Sequence, residues 1–156
     1  MSRAMTAGLV LLVGMAGIAC NASAADTGKL RVVSDRALTG FTFPESVGCD
    51  PRGNALYVSE FGGSALKPAE KDGNGRISKL SLDGKLLESR FLPDPGDVLN
   101  KPKGNWIKGN RLWVADIDSV WVFDLKTHQG RKLPIPGIQF ANDVAIMGNA
   151  LYVSDN

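Results

Sequence analysis

The chain has 156 residues, 44% of them hydrophobic, which is enough apolar material for a packed core. Its 18 basic and 16 acidic residues leave a net charge of +2, and the two signs are interspersed, which excludes the basic stripe of a nucleic-acid-binding surface. A single histidine, His128, excludes a multi-histidine metal centre.

In chain order, the first element reads as a targeting segment. Arg3 supplies a short positive region, Ala7 to Ala19 is apolar, and Ala22-Ser23-Ala24 offers small residues at a cleavage site. Residues 1–24 are therefore expected to be a signal peptide, cut before Ala25 or Asp26, and the protein to be periplasmic or secreted. The apolar run is short for a bilayer and lacks a stop-transfer flank, so no membrane span is expected. Gly17-Ile18-Ala19-Cys20 has the outline of a lipobox, although Gly17 stands where a large aliphatic residue is usual, and it makes lipid anchoring through Cys20 the alternative. Residues 25–40 read as a lead-in. Without the leader, Cys49 is the one remaining cysteine, no internal disulfide can form, and its apolar setting Val47-Gly48-Cys49 predicts a small buried core residue.

The next feature is internal repetition. Gly53-Asn54-Ala55-Leu56-Tyr57-Val58-Ser59 is identical to Gly148-Asn149-Ala150-Leu151-Tyr152-Val153-Ser154, with a degenerate copy at Gly109-Asn110-Arg111-Leu112-Trp113-Val114-Ala115. Each copy is closed by an acid: Glu60, Asp116 or Asp155. Gly-Asn suits a tight turn, because both residues tolerate positive φ, and the β-branched and aromatic run after it predicts a buried strand. Short apolar strands are expected upstream of the turns at Ser46 to Cys49, Asn105 to Ile107 and Asp143 to Met147, so each unit begins with a hairpin. Further strands are predicted at Arg76 to Leu82, at Ser119 to Leu125 and, as an outer strand ending at prolines, at Arg131 to Pro136.

Roughly four strands per unit and no amphipathic helix predict an all-β chain of propeller blades over residues 41–156. The step from Leu112 to Leu151 is 39 residues by subtraction of the numbers, a blade-like period. A β-sandwich is the architectural alternative, but it explains hairpins without explaining a recurrent identical strand. About three blades do not close a ring, so the chain is expected to be the front part of a longer propeller. By itself it is expected to show an apolar blade face and to aggregate.

Aligned on the heptapeptide, with two extra loop residues in the first copy, Glu45, Lys103 and Asn142 fall at equivalent places just ahead of the innermost strands. There they are expected to line the central channel. The carboxylate of Glu45 and the amide oxygen of Asn142 are hard donors suited to Ca²⁺ or Mg²⁺, whereas Lys103 is a cation and no ligand.

Several stretches together resemble the gluconolactonase-like superfamily, which includes senescence marker protein and luciferin-regenerating enzyme, and within it a bacterial exported branch. They are Glu45-Ser46-Val47, Leu56 to Ser59, Asp72 to Leu80 leading into Asp83-Gly84-Lys85, Lys101-Pro102-Lys103-Gly104, Leu112 to Asp118 and Asn142-Asp143-Val144-Ala145. The resemblance covers about Phe41 to Asn156. It implies a six-bladed propeller that hydrolyses sugar lactones or related esters with one divalent cation, Ca²⁺ foremost. It also implies that Glu45 and Asn142 are metal ligands and that Lys103 and Asn142 contact substrate. Ser46-Val47 replace the usual Gly-Pro, and Lys103 stands where the enzymes tend to place an Asn. The catalytic base is unknown within this chain. A lactone or carbohydrate is the partner this reading implies. The competing function is a non-catalytic propeller, similar to NHL-repeat proteins, whose top face binds a protein, peptide or carbohydrate.

Two features are read as structural. Glu70 to Ser78 mimics the start of a calcium loop, but the required acid is replaced by Ser81 and a strand follows, so a polar turn is expected. His128 lies in the polar stretch Lys126 to Gly130 and is expected to be a solvent-exposed turn residue.

Overall fold

A computed structural model of the chain describes Leu9–Leu11, Val32 and residues 34–156. The expected signal peptide and the lipobox around Cys20 lie outside the described residues, apart from β1 (Leu9–Leu11), which pairs antiparallel with β2 (Arg36–Leu38). The described residues contain no helix.

The body is a succession of antiparallel sheets. The first blade is β3 (Pro44–Asp50), β4 (Ala55–Glu60), β5 (Arg76–Ser81) and β6 (Leu86–Leu92), hydrogen-bonded in that order. The second repeats the plan with β7 (Pro102–Lys108), β8 (Arg111–Asp116), β9 (Ser119–Asp124) and β10 (Gly130–Pro134). A third sheet is the hairpin of β11 (Ala141–Met147) and β12 (Ala150–Asp155). Strand β6 has no counterpart among the expected strands. It is exposed over Leu86–Arg90, so Glu88 and Arg90 break the apolar pattern that marks the inner strands.

The repeat works by alternation. In β4 and β8 successive side chains point to opposite sheet faces. Leu112 and Val114 join Ala55, Tyr57, Ile77, Phe91, Leu99, Trp121 and Phe123 in the core between the first two blades. Ala115 and the partly buried Trp113 instead meet Leu151 and Val153 in a second core between β8 and the third sheet. Leu112 and Val114 of the second copy thus face the first blade, Leu151 and Val153 of the third face the second, and Tyr57 and Trp113 each face the following sheet. In the first blade Leu56 and Val58 lie under Leu38, Phe41 and Leu82.

The turns correct one expectation. The hairpin turns at Gly109-Asn110 and Gly148-Asn149 place only the glycine at positive φ, 64° and 58°, as a turn with glycine at its first central position requires. The first copy has a four-residue loop from Pro51 to Asn54, and there Asn54 takes the positive φ, 52°.

Each closing acid has a defined task. Glu60 accepts the Thr42 N–H at 2.6 Å, Asp116 those of Asn100 and Lys101 at 3.0 and 2.7 Å, and Asp155 that of Phe140 at 2.7 Å. In every unit the acid ending the second strand ties down the segment that leads into the first.

Cys49 is exposed, which corrects its reading as a core residue. Gly48 occupies the side facing the second blade, where an added Cβ would collide with Asn105 and Ile107, and alternation turns Cys49 the other way. His128 is in a turn, at φ 61°, but is half-buried: its ring meets Phe91 edge-on at 4.4 Å and Nδ1 lies 3.3 Å from Asp94.

Candidate functional site

The first strands of the three sheets, β3, β7 and β11, pack side by side with β7 between the other two. Each departs from regular pairing just after the residue opposite its closing acid. Pro44 pairs with Glu60, Pro102 with Asp116 and Ala141 with Asp155, and the irregularity follows at once. The next residues are Glu45, Lys103 and Asn142. The strand register therefore puts these three at matching positions, each at a bulge of the kind that re-aims a side chain.

Two features seat the strands. Gly104 lets β7 approach β11: a Cβ there would run into the side chain of Asp143 and come within 2.7 Å of its Cα. Between β3 and β7, Asn105 Nδ2 donates to Ser46 Oγ at 3.2 Å and to Ser59 Oγ at 3.0 Å, while Ser46 Oγ donates to the Lys103 carbonyl at 2.7 Å. Asn105 is a positioning residue that sequence reasoning passed over, because its polar partners come from the neighbouring blade.

The charges at this end are coupled. Desolvation raises the Glu45 pKa, and the negative charge of Asp143 adds to that, while Lys103 and a hydrogen bond with Ser46 oppose it. Burial pushes the Lys103 ammonium down, against the attraction of Asp116 and Glu45. Its Nζ lies 4.0 Å from the Phe140 ring centroid and 5.9 Å from that of Phe61. Asp143 was not singled out from sequence, although it adjoins Asn142; its proximity to Glu45 depends on β11 and β3 flanking the same strand. Asn142 is half-buried.

As a donor set, Glu45 and Asn142 are hard oxygens of the type Ca²⁺ prefers, and the mutual repulsion of Glu45 and Asp143, only partly offset by Lys103, suits a cation. Among the described residues, no three His, Cys, Asp or Glu side chains form a group that could hold a metal ion. The two donors would thus need water, amide or carbonyl oxygens to complete a shell.

The calcium-loop mimic is accounted for otherwise. Both Asp72 oxygens accept from Lys101 Nζ, at 2.7 and 2.6 Å, and Asp72 also caps the Asn74 N–H at 3.1 Å. At the opposite, turn-bearing end, a groove of about 600 Å³ runs between the second and third sheets past Lys108, Arg111, Trp113, Ile146 and Leu151. None of Glu45, Lys103 or Asn142 lines it.

The fold and its repeated sheets define a β-propeller architecture. No protein-family model matches the sequence, and no curated protein matches it. Solved structures do match in three dimensions. One chain, from the crystal structure of a nidogen/laminin complex, superposes with a TM-score of 0.59 and 21% identity over 79% of this chain and 44% of that one. Another, a gluconolactonase from Xanthomonas campestris, superposes with a TM-score of 0.56 and 20% identity over 80% of this chain and 38% of that one. This chain therefore spans less than half the length of either.

Proposed function

We propose that the chain supplies part of the mouth of an exported propeller, periplasmic or secreted, that hydrolyses lactones or related esters with a divalent cation, Ca²⁺ foremost. The observation that carries this reading is the placement of Glu45, Lys103 and Asn142 at matching register positions of adjacent innermost strands. The gluconolactonase neighbour supports the substrate class. Glu45 and Asn142 would hold the cation, whose contribution when bound is to polarise a carbonyl and make water more acidic. The Lys103 ammonium and the Asn142 amide would orient the substrate by hydrogen bonds. In hydrolysis the water oxygen joins the carbonyl carbon, the carbon–oxygen bond of the ring breaks, and the water proton ends on the released hydroxyl. Asn105 and Gly104 would keep the three strand starts in register.

A second reading, a non-catalytic propeller that binds a protein, peptide or carbohydrate, is favoured by the nidogen/laminin neighbour. Calorimetry of the intact exported protein with Ca²⁺, Mg²⁺, Mn²⁺ and Zn²⁺ separates the two. The expected result is a single site that Glu45→Gln weakens at least about tenfold, a loss of roughly 1.4 kcal/mol or more, together with turnover of D-gluconolactone. Cation binding indifferent to Glu45→Gln, or none, would overturn the metal site; its absence together with no turnover leaves the binding reading.

A further inference from the structure

Residues 61–75 join β4 to β5, whereas the same connection in the second blade is only Ile117-Asp118. The long connection leaves from the closing acid Glu60, at the end that carries Glu45, Lys103 and Asn142, and crosses to the segment leading into β7. There it holds one residue after another. The Gly75 N–H donates to the Leu99 carbonyl at 3.0 Å, and the Gly73 N–H to Asn100 Oδ1 at 3.2 Å. Lys101 Nζ donates to both Asp72 oxygens, at 2.7 and 2.6 Å, and to the Phe61 carbonyl at 3.3 Å. One ammonium thus staples both ends of the connection. A Cβ on Gly75 would stand 2.4 Å from Pro102 Cδ and 2.7 Å from the Asn100 carbonyl oxygen, so only glycine permits this approach.

The next residue is Lys103, which is 1% exposed. Its Nζ reaches the Lys101 carbonyl at 3.4 Å and lies 5.9 Å from the Phe61 ring centroid, and among the described residues no carboxylate is within ion-pair distance of it. Two of its contacts are therefore the two residues that the staple joins. Asp116 holds Asn100 and Lys101 from the other side. The short turn of the second blade does the same for the third sheet on a smaller scale: the Ala141 N–H donates to the Ile117 carbonyl at 2.6 Å.

We infer that residues 61–75 are a strap that positions the start of β7, with Asp72 as the positioning residue that acts through Lys101. The loop that imitates a calcium site is in this way a brace for the mouth. Its effect on substrate rests on the hydrolase reading; the strap itself does not.

The test uses the intact protein and the double variant Asp72→Leu/Lys101→Met. This variant removes the buried pair without leaving a charge unpaired, so its denaturant midpoint is expected to stay near that of wild type. Acetylation of Lys103 by acetic anhydride, followed by mass spectrometry against the exposed Lys85, is expected to be roughly tenfold faster in the variant. Lys71→Met removes only the exposed pair with Asp118 and is expected to leave that rate unchanged. Lys103 as protected in the double variant as in wild type would overturn the proposal, and so would equal release by Lys71→Met. Should the double variant not fold, Asp72→Asn is read in the same way. With D-gluconolactone, the double variant is expected to raise KM roughly tenfold with kcat nearly unchanged, the mark of lost uniform binding. Released Lys103 with an unchanged KM supports the strap and removes Lys103 from the substrate contacts. No turnover in wild type removes the hydrolase reading, and the acetylation rates still decide the strap.

Discussion

Asp72 shows how one residue's surroundings decide its chemistry. Partial burial would raise its pKa, but hydrogen bonds from Lys101 and from Asn74 outweigh that and hold it at about 2, below the ordinary 3.8. A carboxylate depressed in the folded state adds stability above its unfolded pKa and loses it as pH falls through the folded value. The Asp72–Lys101 latch is thus expected to be complete above pH 3.8 and lost on acidification towards about 2. Thermal melts of wild type should fall across that window, and Asp72→Asn should flatten the fall. At neutral pH, Asp72→Ala leaves Lys101 buried and unpaired, and denaturant titration should show a loss of about 3 kcal/mol. The sequence displayed the acidic loop, but its partner stands 29 positions away, and no local pattern links the two. The same limit applies to Cys49: apolar neighbours predicted burial, while the side of β3 it faces decided exposure.

The innermost strands were legible as elements because their turns and apolar runs are local signals. The alignment of the repeated strands also placed Glu45, Lys103 and Asn142 at equivalent positions, and the register agrees. The bulges were not legible, since a bulge is a relation between two strands, and Ser46 to Cys49 or Asn105 to Ile107 look the same with or without one. Gly104 is where this relation is most sensitive. In Gly104→Ala the new methyl would press on the Asp143 side chain and Cα, so β7 and β11 must part. A stability loss of about 1–3 kcal/mol in a urea titration is expected. If Glu45 and Asn142 hold a cation as proposed, its affinity should fall with it, because Asn142 rides on the displaced strand. Strand β6 was missed for the complementary reason: an outer strand buries little, so hydrophobic periodicity hardly marks it.

Across the whole molecule, the two identical heptapeptides sit in different environments. Tyr57 is 3% exposed, wedged against Phe91 at 5.4 Å in the core between the first two blades, whereas Tyr152 is 52% exposed. Tyr57→Ala is expected to cost about 3–5 kcal/mol, as for other large aromatic truncations, and Tyr152→Ala in this chain under about 0.5 kcal/mol. Paired denaturant titrations read the difference directly. Sequence by itself determined the innermost hairpins, their repetition and the positional equivalence of Glu45, Lys103 and Asn142, because turn chemistry and alternation act between near neighbours along the chain. Only the tertiary structure decided which copy is buried, that Lys101 is paired while Lys103 meets no carboxylate, and that Asp143 joins Glu45. Burial and electrostatics depend on which surfaces meet, and residues far apart in the chain, such as Glu45 and Asp143, meet only when the blades stack.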